Sequence, residues 1–158
     1  MTGDYAVRLA SPSDTTVIGA IFNECLPAEW NQSALAAALQ NPQYGFFVAY
    51  AETSGGEMAF GAAAATLVAD ECCLISIAVR PAFRRRGAAD RLLAAAEELA
   101  LSHGCAHVFL EVRAGNVAAQ ALYERRTYRP TGRRPAFYAH PTEDALLYTK
   151  TLGEPVDA

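Results

Sequence analysis

Near the middle of the chain, an apolar segment, an arginine-rich turn ending in glycine and a long amphipathic segment follow one another directly. The segment 72–79 predicts a strand, and residues 74–79 are apolar on both faces, as in a strand covered on both sides. Arg80-Pro81 ends this strand, a helix is predicted over 87–103, and a further strand over 107–112. Because such a unit packs with a right-handed crossover, the two strands should be parallel, which indicates an α/β fold.

The flanking segments predict shorter elements. Alternating and apolar runs, two of them joined by Ser54-Gly55-Gly56, predict antiparallel strands, so the sheet should be mixed. These strands cover 5–9, 45–50, 58–69 and 146–152, and three more helices run from Ser13 or Asp14 to Cys25, from Asn31 or Ser33 to Leu39 and from Asn116 to Arg126. One domain over residues 1–158 is predicted.

Positive charge is concentrated in one part of the chain. Residues 80–134 contain eleven arginines and five acidic residues, a net +6, whereas the remainder contains two basic and twelve acidic residues, a net −10. A basic centre in an acidic protein does not suit general nucleic-acid binding, which needs a broad positive face. It suits a compact polyanionic ligand and leaves acidic surroundings for a cationic partner. Arginine could also be only the common surface residue of a GC-rich genome.

Neither a membrane segment nor a metal site is predicted. Charges and turn residues interrupt every apolar run before ~18 residues, and the N-terminus lacks the basic and apolar regions of a secretory signal, so a cytoplasmic protein is expected. The four cysteines lack C-x-x-C spacing, and Cys105 near His107 is better explained as a buried thiol.

The turn at residues 84–89 has the composition of an anion-binding site. It reads Arg-Arg-Arg-Gly-Ala-Ala and leads directly into the long helix. A helix N-terminus offers unpaired N–H groups and the positive end of a dipole, and arginine can add paired contacts to phosphate. The turn has neither G-x-x-x-x-G-K-[ST] nor G-x-G-x-x-G, so the nucleoside triphosphate and dinucleotide loops are excluded.

Four motifs in register resemble one enzyme family. R-x-x-G-x-A after the strand end Val79-Arg80-Pro81 resembles motif A of the GNAT N-acetyltransferase family, and Ile77-Ala78-Val79 resembles that family's splayed strand. Residues 110–116 resemble its L-E-V-R-x-x-N, and residues 119–124 its A-x-x-L-Y-E. The combination is most similar to the ribosomal-protein alanine N-acetyltransferase (RimI) branch. Residues 29–30 and 133–145 resemble segments of that branch, so the resemblance extends over most of the chain.

The resemblance implies a fold, a co-substrate and a set of site residues. The fold would be a mixed sheet of about six to seven strands with helices on both faces. The co-substrate would be acetyl-CoA, with no metal, and the acceptor the N-terminal amine of a protein, plausibly a ribosomal protein, without contact to nucleic acid or membrane. The residues implied to bind acetyl-CoA are Ile77, Ala78, Val79, Arg84, Arg85, Arg86, Gly87, Ala88, Ala89, Asp90, Asn116 and Tyr123; Trp30 and Tyr138 are the candidates for acceptor binding.

Glu111 is the candidate general base, acting through water. It shares a strand face with Arg113, while Leu110 and Val112 share the other face. A charged residue on a middle strand needs a cleft or a partner, so Glu111 could instead merely pair with Arg113 or lie at the exposed end of the strand. The residues alone favour neither reading; the family, in which this glutamate accepts the proton, favours the base. Glu124 and Glu143 are expected on solvated faces.

Tyr123 is the candidate proton donor to the leaving thiolate. Transfer from a phenol with a pKa of ~10 to a thiolate near ~8.5 is uphill by about 2 kcal/mol, which a positioned hydrogen bond can bridge. A core tyrosine beside Ala119 and Leu122 is the alternative. The backbone N–H of Val79 or Ala78 could serve as an oxyanion donor if the strand bulges there.

One position departs from the family pattern, and the acceptor stays open. The glycine that should end the Tyr123 helix is Thr127, and a β-branched residue in a left-handed cap is strained by roughly 1–2 kcal/mol. A small amine, such as a polyamine or an antibiotic, is an alternative acceptor. A non-catalytic acyl-CoA-binding module is a third possibility, against which the presence of both Glu111 and Tyr123 argues. The sequence does not distinguish a monomer from a homodimer.

Overall fold

The protein is built around one seven-stranded sheet in the residues that the structure describes. The structure is a computed structural model and describes residues 4–27, 29–139 and 141–153. The strands lie in the spatial order β1-β2-β3-β4-β5-β7-β6. Their bounds are β1 Ala6–Leu9, β2 Tyr44–Thr53, β3 Gly56–Val68, β4 Glu71–Val79, β5 His107–Arg113, β6 Arg129–Tyr138 and β7 Glu143–Thr151. β4 and β5 are parallel and the other neighbours antiparallel, which confirms the predicted mixed sheet.

Helices cover both faces of the sheet, as predicted. They are α1 Thr15–Cys25, α2 Gln32–Leu39, α3 Ala88–Ser102 and α4 Val117–Arg125. The buried stripe of α3 packs with one side of the sheet in a core that includes Leu92, Leu93 and Tyr123. α1 and α2 pack on the other side around Ile18, Phe22 and Leu35. None of the helices in the described part of the chain has the length and apolar content needed to cross a membrane.

The parallel strands β4 and β5 part soon after they meet. Their pairing runs only from Glu71 opposite His107 to Cys73 opposite Phe109. β4 then bulges at Ile75, because Ala65 pairs with Leu74 while Ala64 pairs with Ser76. The sequence placed a possible bulge at Ala78–Val79, so the position was wrong by several residues. A gap therefore separates β4 from β5 towards the carboxyl ends of the two strands.

Strand β6 was not predicted. Its first nine residues are all exposed, because it is the edge strand and pairs only with β7. Two prolines and a glycine interrupt it, and the pairing shifts between Pro130 and Gly132 and again between Arg134 and Tyr138. An exposed strand without apolar alternation leaves no periodic signal in the sequence.

Helix α4 ends in the left-handed cap that the motif predicts. Thr127 has φ +70°, its N–H donates to Glu124 O at 3.0 Å, and Tyr128 N–H donates to Tyr123 O at 2.9 Å. These are the two bonds of a Schellman motif, so the chain keeps the glycine geometry with a threonine. The left-handed cap therefore forms despite the strain of the β-branched residue.

Replacing Thr127 with glycine should stabilise the protein by about 1 kcal/mol, because glycine adopts positive φ without a Cβ clash. In a domain of this size that corresponds to a melting temperature about 2–4 °C higher. Thr127→Ala is the control: it keeps a Cβ and should show no comparable gain. A thermal scan of the three proteins makes the measurement, and equal melting temperatures for the glycine and alanine variants would contradict the strain.

Candidate active site

The gap between β4 and β5 opens into a cavity of about 630 Å³. α3 and α4 close one side, and the end of α1 reaches it through Cys25 and Leu26. All the predicted site residues line it except Arg86 and Trp30: they are Ile77, Ala78, Val79, Arg84, Arg85, Gly87, Ala88, Ala89, Asp90, Glu111, Asn116, Tyr123 and Tyr138.

One end of the cavity is the N-terminus of α3. Gly87, its N-cap, has φ +80°, and no side chain in the described part of the chain caps the helix. The first-turn N–H groups of this 15-residue helix therefore lack a side-chain acceptor, and its dipole places positive potential at the same point. A Cβ at Gly87 would approach only the Tyr5 hydroxyl, at 3.6 Å, so the conformation rather than the space calls for glycine.

The three arginines of the turn have different surroundings. Arg84 Nε donates to Val79 O at 2.8 Å, which ties the turn to the end of β4. Arg85 adopts φ +67° and lines the cavity. Arg86 lies over the Phe83 ring at 5.4 Å, and its carbonyl accepts the Tyr5 hydroxyl at 3.0 Å. Arg84 and Arg85 both line the cavity, and within the described residues Arg85 is the one without a side-chain hydrogen bond.

Two further residues at this end have structural partners. The Asn116 side chain accepts from Ala119 N–H at 3.1 Å and so caps α4 while also lining the cavity. Asp90, in the first turn of α3, accepts from Arg125 at 3.3 Å. Arg125 also lines the cavity and adds positive charge that the motif did not identify.

A free backbone donor faces the gap at Val79. Arg80 N–H donates to Phe60 O on β3 at 2.8 Å. Backbone groups alternate between the two edges of a strand, so the N–H of Val79 points away from β3, towards the side that β5 has left. By the same alternation, the N–H of Ala78 points to β3. Of the two donors that the sequence left open, Val79 is the one that faces the cavity.

Glu111 lies at the other end of the cavity, where its carboxylate is 3.2 Å from Arg134 Nε. About a third of its side chain, 35%, is accessible, so water can reach it. Its predicted alternative partner, Arg113, instead contacts Glu143 at 3.1 Å and lies over the Tyr138 ring at 4.2 Å. The pairing of Glu111 with Arg113 was therefore wrong.

The expectation of solvated faces for Glu143 and Glu124 was also wrong in part. Glu143 is half-buried and accepts from the backbone N–H of Gly115 as well as from Arg113, so it joins the start of β7 to the end of β5. Glu124 is exposed but accepts the Tyr148 hydroxyl at 2.8 Å. Neither contact could be read from sequence, because each partner lies more than twenty residues away.

Tyr123 is buried, with 5% of its surface accessible, and lines the cavity. Within the described residues its hydroxyl has no hydrogen-bond partner, unlike those of the neighbouring Tyr128 and Tyr148. Burial raises the pKa of Tyr123 to about 12, with smaller contributions from Tyr138 and Glu29. The phenol therefore keeps its proton at neutral pH and has a free donor.

Trp30 does not line the cavity but is hydrogen-bonded to a residue that does. Its indole Nε1 donates to Ser76 Oγ at 3.0 Å, and Ser76 Oγ donates to Glu29 Oε1, also at 3.0 Å. Ser76 and Glu29 both line the cavity, so Glu29 is a second carboxylate in its lining. Sequence reasoning missed Ser76, whose only signal is a hydroxyl within an otherwise apolar strand.

No group of three or more metal-ligating side chains occurs within residues 4–27, 29–139 and 141–153. Cys72 and Cys105 are buried, and burial raises the pKa of both thiols. They fit the predicted role of small core residues.

Sequence comparison identifies bacterial N-acetyltransferases as relatives of this chain. The chain is 36% identical over 138 residues to the ribosomal protein bS18-alanine N-acetyltransferase of Salmonella typhimurium, a match over 77% of this chain and 88% of that protein. It is 41% identical over 88 residues to the enzyme of the same name from Escherichia coli, over 50% of this chain and 59% of that protein. A Bacillus subtilis relative is matched over 58% of its length. The chain thus spans less than two thirds of two of these three relatives.

Solved structures share the fold. The crystal structure of the Escherichia coli ribosomal-protein-S18-alanine N-acetyltransferase superposes with a TM-score of 0.82 at 26% identity, over 98% of this chain and 100% of that one. Arabidopsis thaliana NAA60 in complex with acetyl-CoA superposes with a TM-score of 0.84 at 19% identity, over 95% and 99%. Residues 16–128 match the acetyltransferase (GNAT) family. This chain belongs to the GNAT family of acetyltransferases.

Proposed function

We propose that this chain transfers the acetyl group of acetyl-CoA to the N-terminal amine of a ribosomal protein that begins with alanine. The observation that carries the proposal is that one cavity joins a helix N-terminus, a backbone N–H, a carboxylate and a buried phenol. Among the described residues, the helix end has no side-chain cap and the phenol no hydrogen-bond partner. These are the groups that acyl transfer to an amine requires.

Acetyl-CoA would lie along the gap. Its diphosphate would meet the N–H groups of Ala88, Ala89 and Asp90 at the start of α3, with Arg85 beside them. Its pantetheine arm would follow residues 77–79 of β4, where β5 offers no backbone partners. The thioester carbonyl would then accept from Val79 N–H, which would stabilise the charge that develops on that oxygen.

Glu111 would take the proton from the amine, through a water molecule. A free α-amine has a pKa of ~7.7–8.0, so presenting it neutral at pH 7 takes about 1.2 kcal/mol, whereas lysine takes over ~4.5 kcal/mol. A carboxylate open to water can deprotonate an α-amine far more easily than it can deprotonate a lysine side chain. This difference favours a protein N-terminus over a lysine side chain.

Tyr123 would give its proton to the sulfur as the carbon–sulfur bond breaks. With a pKa of about 12, transfer to a thiolate near its usual ~8.5 would be uphill by roughly 5 kcal/mol. The same burial disfavours the thiolate and raises its affinity for a proton, which narrows that difference. The products are the N-acetyl amide and CoA thiol, with one proton released from the original ammonium.

Charge along the cavity fits a cationic acceptor. Arg84, Arg85 and Arg125 line the cavity near the start of α3, where the diphosphate would bind, and Asp90 there pairs with Arg125. Glu29 and Glu111 also line it, and the nearby Arg113 is paired with Glu143. An ammonium group would be attracted to these carboxylates and repelled by the arginines, which would orient the two substrates.

A peptide panel tests the proposal. A peptide with a free N-terminal alanine and basic residues should be acetylated with kcat/KM at least about tenfold higher than spermidine or than the same peptide with a blocked terminus and an internal lysine, because only the α-amine is easily deprotonated. Thiol release measures the rate, and mass spectrometry locates the acetyl group. Turnover of small amines alone would reject the N-terminal acceptor while leaving acetyl transfer intact.

A further inference from the structure

The ring of Tyr123 lies between two other tyrosine rings. Tyr128 approaches it at 5.8 Å between centroids with an interplanar angle of 61°, and Tyr148 at 6.3 Å and 48°. Both neighbours are buried, each with 2% of its surface accessible. Edge-on packing of this kind restricts the rotation of the enclosed ring.

Tyr128 is fixed at its far end by a buried carboxylate. Its hydroxyl donates to Glu97 Oε2 at 2.9 Å, and Glu97, on α3, is only 6% accessible. Arg126 and Lys150 donate to Glu97 Oε1 at 2.8 and 3.0 Å. We call these four residues, Glu97, Arg126, Tyr128 and Lys150, the Glu97 cluster. It joins α3, the end of α4 and β7 at a single carboxylate.

The Glu97 cluster is also connected to Tyr123 through the backbone. Tyr128 N–H donates to Tyr123 O, one of the two bonds of the cap that ends α4. A shift of Tyr128 would therefore move both the ring packed on Tyr123 and the carbonyl of Tyr123 itself.

Tyr148 is anchored in the same manner on the other side. Its hydroxyl donates to Glu124 Oε2 at 2.8 Å, and Glu124 directly follows Tyr123 on α4. Tyr123 has no comparable bond of its own within the described residues. The direction of its hydroxyl therefore depends on the two anchored neighbours.

We propose that Tyr128 is a positioning residue: held by Glu97, and opposed by Tyr148, it sets the ring of Tyr123 so that its hydroxyl is directed at the sulfur. This inference rests on the proposed function, in which Tyr123 donates the proton. Displacement of a catalytic group by about 1 Å can lower the reaction rate on the order of a hundredfold. A small change in the orientation of the Tyr123 ring should therefore have a large effect on kcat.

Tyr128→Phe tests the inference, because it keeps the ring and removes only the bond to Glu97. We expect kcat to fall about tenfold while KM for acetyl-CoA changes less than about twofold. In a Tyr123→Phe background, which should itself lower kcat by about a hundredfold, Tyr128→Phe should have almost no further effect, since it acts through the missing hydroxyl. Asp14→Asn, which weakens the ion pair of the buried Asp14 with the half-buried Arg8, is the control for general destabilisation and should leave kcat within about twofold.

The possible outcomes separate the two ideas. An equal fall in kcat in both backgrounds, or a change in KM alone, would overturn the positioning role but leave Tyr123 as the acid. Full activity of Tyr123→Phe would overturn the acid role and the positioning role with it. If Tyr128→Phe does not fold, Tyr148→Phe makes the same comparison from the other side of the ring.

Discussion

Glu111→Gln is expected to lower kcat/KM about a hundredfold at pH 7, because the substitution keeps the size and polarity of the side chain but removes its capacity to accept a proton. The deficit should narrow above about pH 8, where an α-amine is largely neutral without help. Initial rates of thiol release with the Ala-initiated peptide, measured from pH 6 to 9, give both results. In structural terms, the side chain lines the cavity and is open to water, as a base acting through water requires.

Glu24→Gln is the matched control. Glu24 lies on α1, pairs with Arg80 at 2.9 Å and does not line the cavity, so its variant loses the same charge and one ion pair. Its kcat/KM should stay within about twofold of the parent. Wild-type activity of Glu111→Gln at neutral pH would show that another group, or bulk water, accepts the proton.

Glu97→Ala should lower the free energy of unfolding by about 3 kcal/mol, the largest stability effect of any single substitution considered. The substitution leaves Arg126 and Lys150, whose side chains are 24% and 18% accessible, without their shared carboxylate and removes the acceptor of the buried Tyr128 hydroxyl. For a domain of this size the melting temperature should fall by roughly 6–12 °C. Chemical denaturation at pH 7 measures the difference.

Glu98→Ala is the control, since the neighbouring glutamate on the same helix is exposed, and its loss should cost less than about 0.5 kcal/mol. The pH dependence adds a second readout. Burial alone would raise the pKa of Glu97, but hydrogen bonds from Arg126, Lys150 and Tyr128 outweigh it and hold the pKa below its ordinary value near 4.5. The stabilisation is thus complete above that value and is lost as the pH falls through the lowered one. The gap between the parent and Glu97→Ala should therefore shrink in acid; a gap that is unchanged down to pH 3 would contradict the assignment.

The central unit and the anion-binding turn could be predicted because their signals are local. A strand that is apolar on both faces, a glycine at positive φ and a helical stripe each lie within a few residues of one another, and the structure has them at residues 71–79, Gly87 and 88–102. The family motifs added Glu111 and Tyr123, and the cavity includes both.

The contacts that surround those two residues could not be predicted, because they join distant parts of the chain. Arg134 reaches Glu111 only because β6 forms, and β6 has no periodic pattern. Glu97 appeared as an ordinary charge on a helix, yet its three partners come from residues 126–150. Glu97 is buried and hydrogen-bonded to these partners only because α3 packs against the end of α4.

The separation of β4 and β5 also affects which residues of β4 can differ between members of the family. The donors that face the gap are main-chain N–H groups, and every amino acid except proline supplies one. Other residues that fit the cavity can therefore replace Ile77 and Val79 without loss of the backbone contacts proposed for acetyl-CoA. Two such enzymes could share the proposed backbone contacts while sharing no residue there, and Val79→Pro would remove the N–H proposed to bind the thioester oxygen.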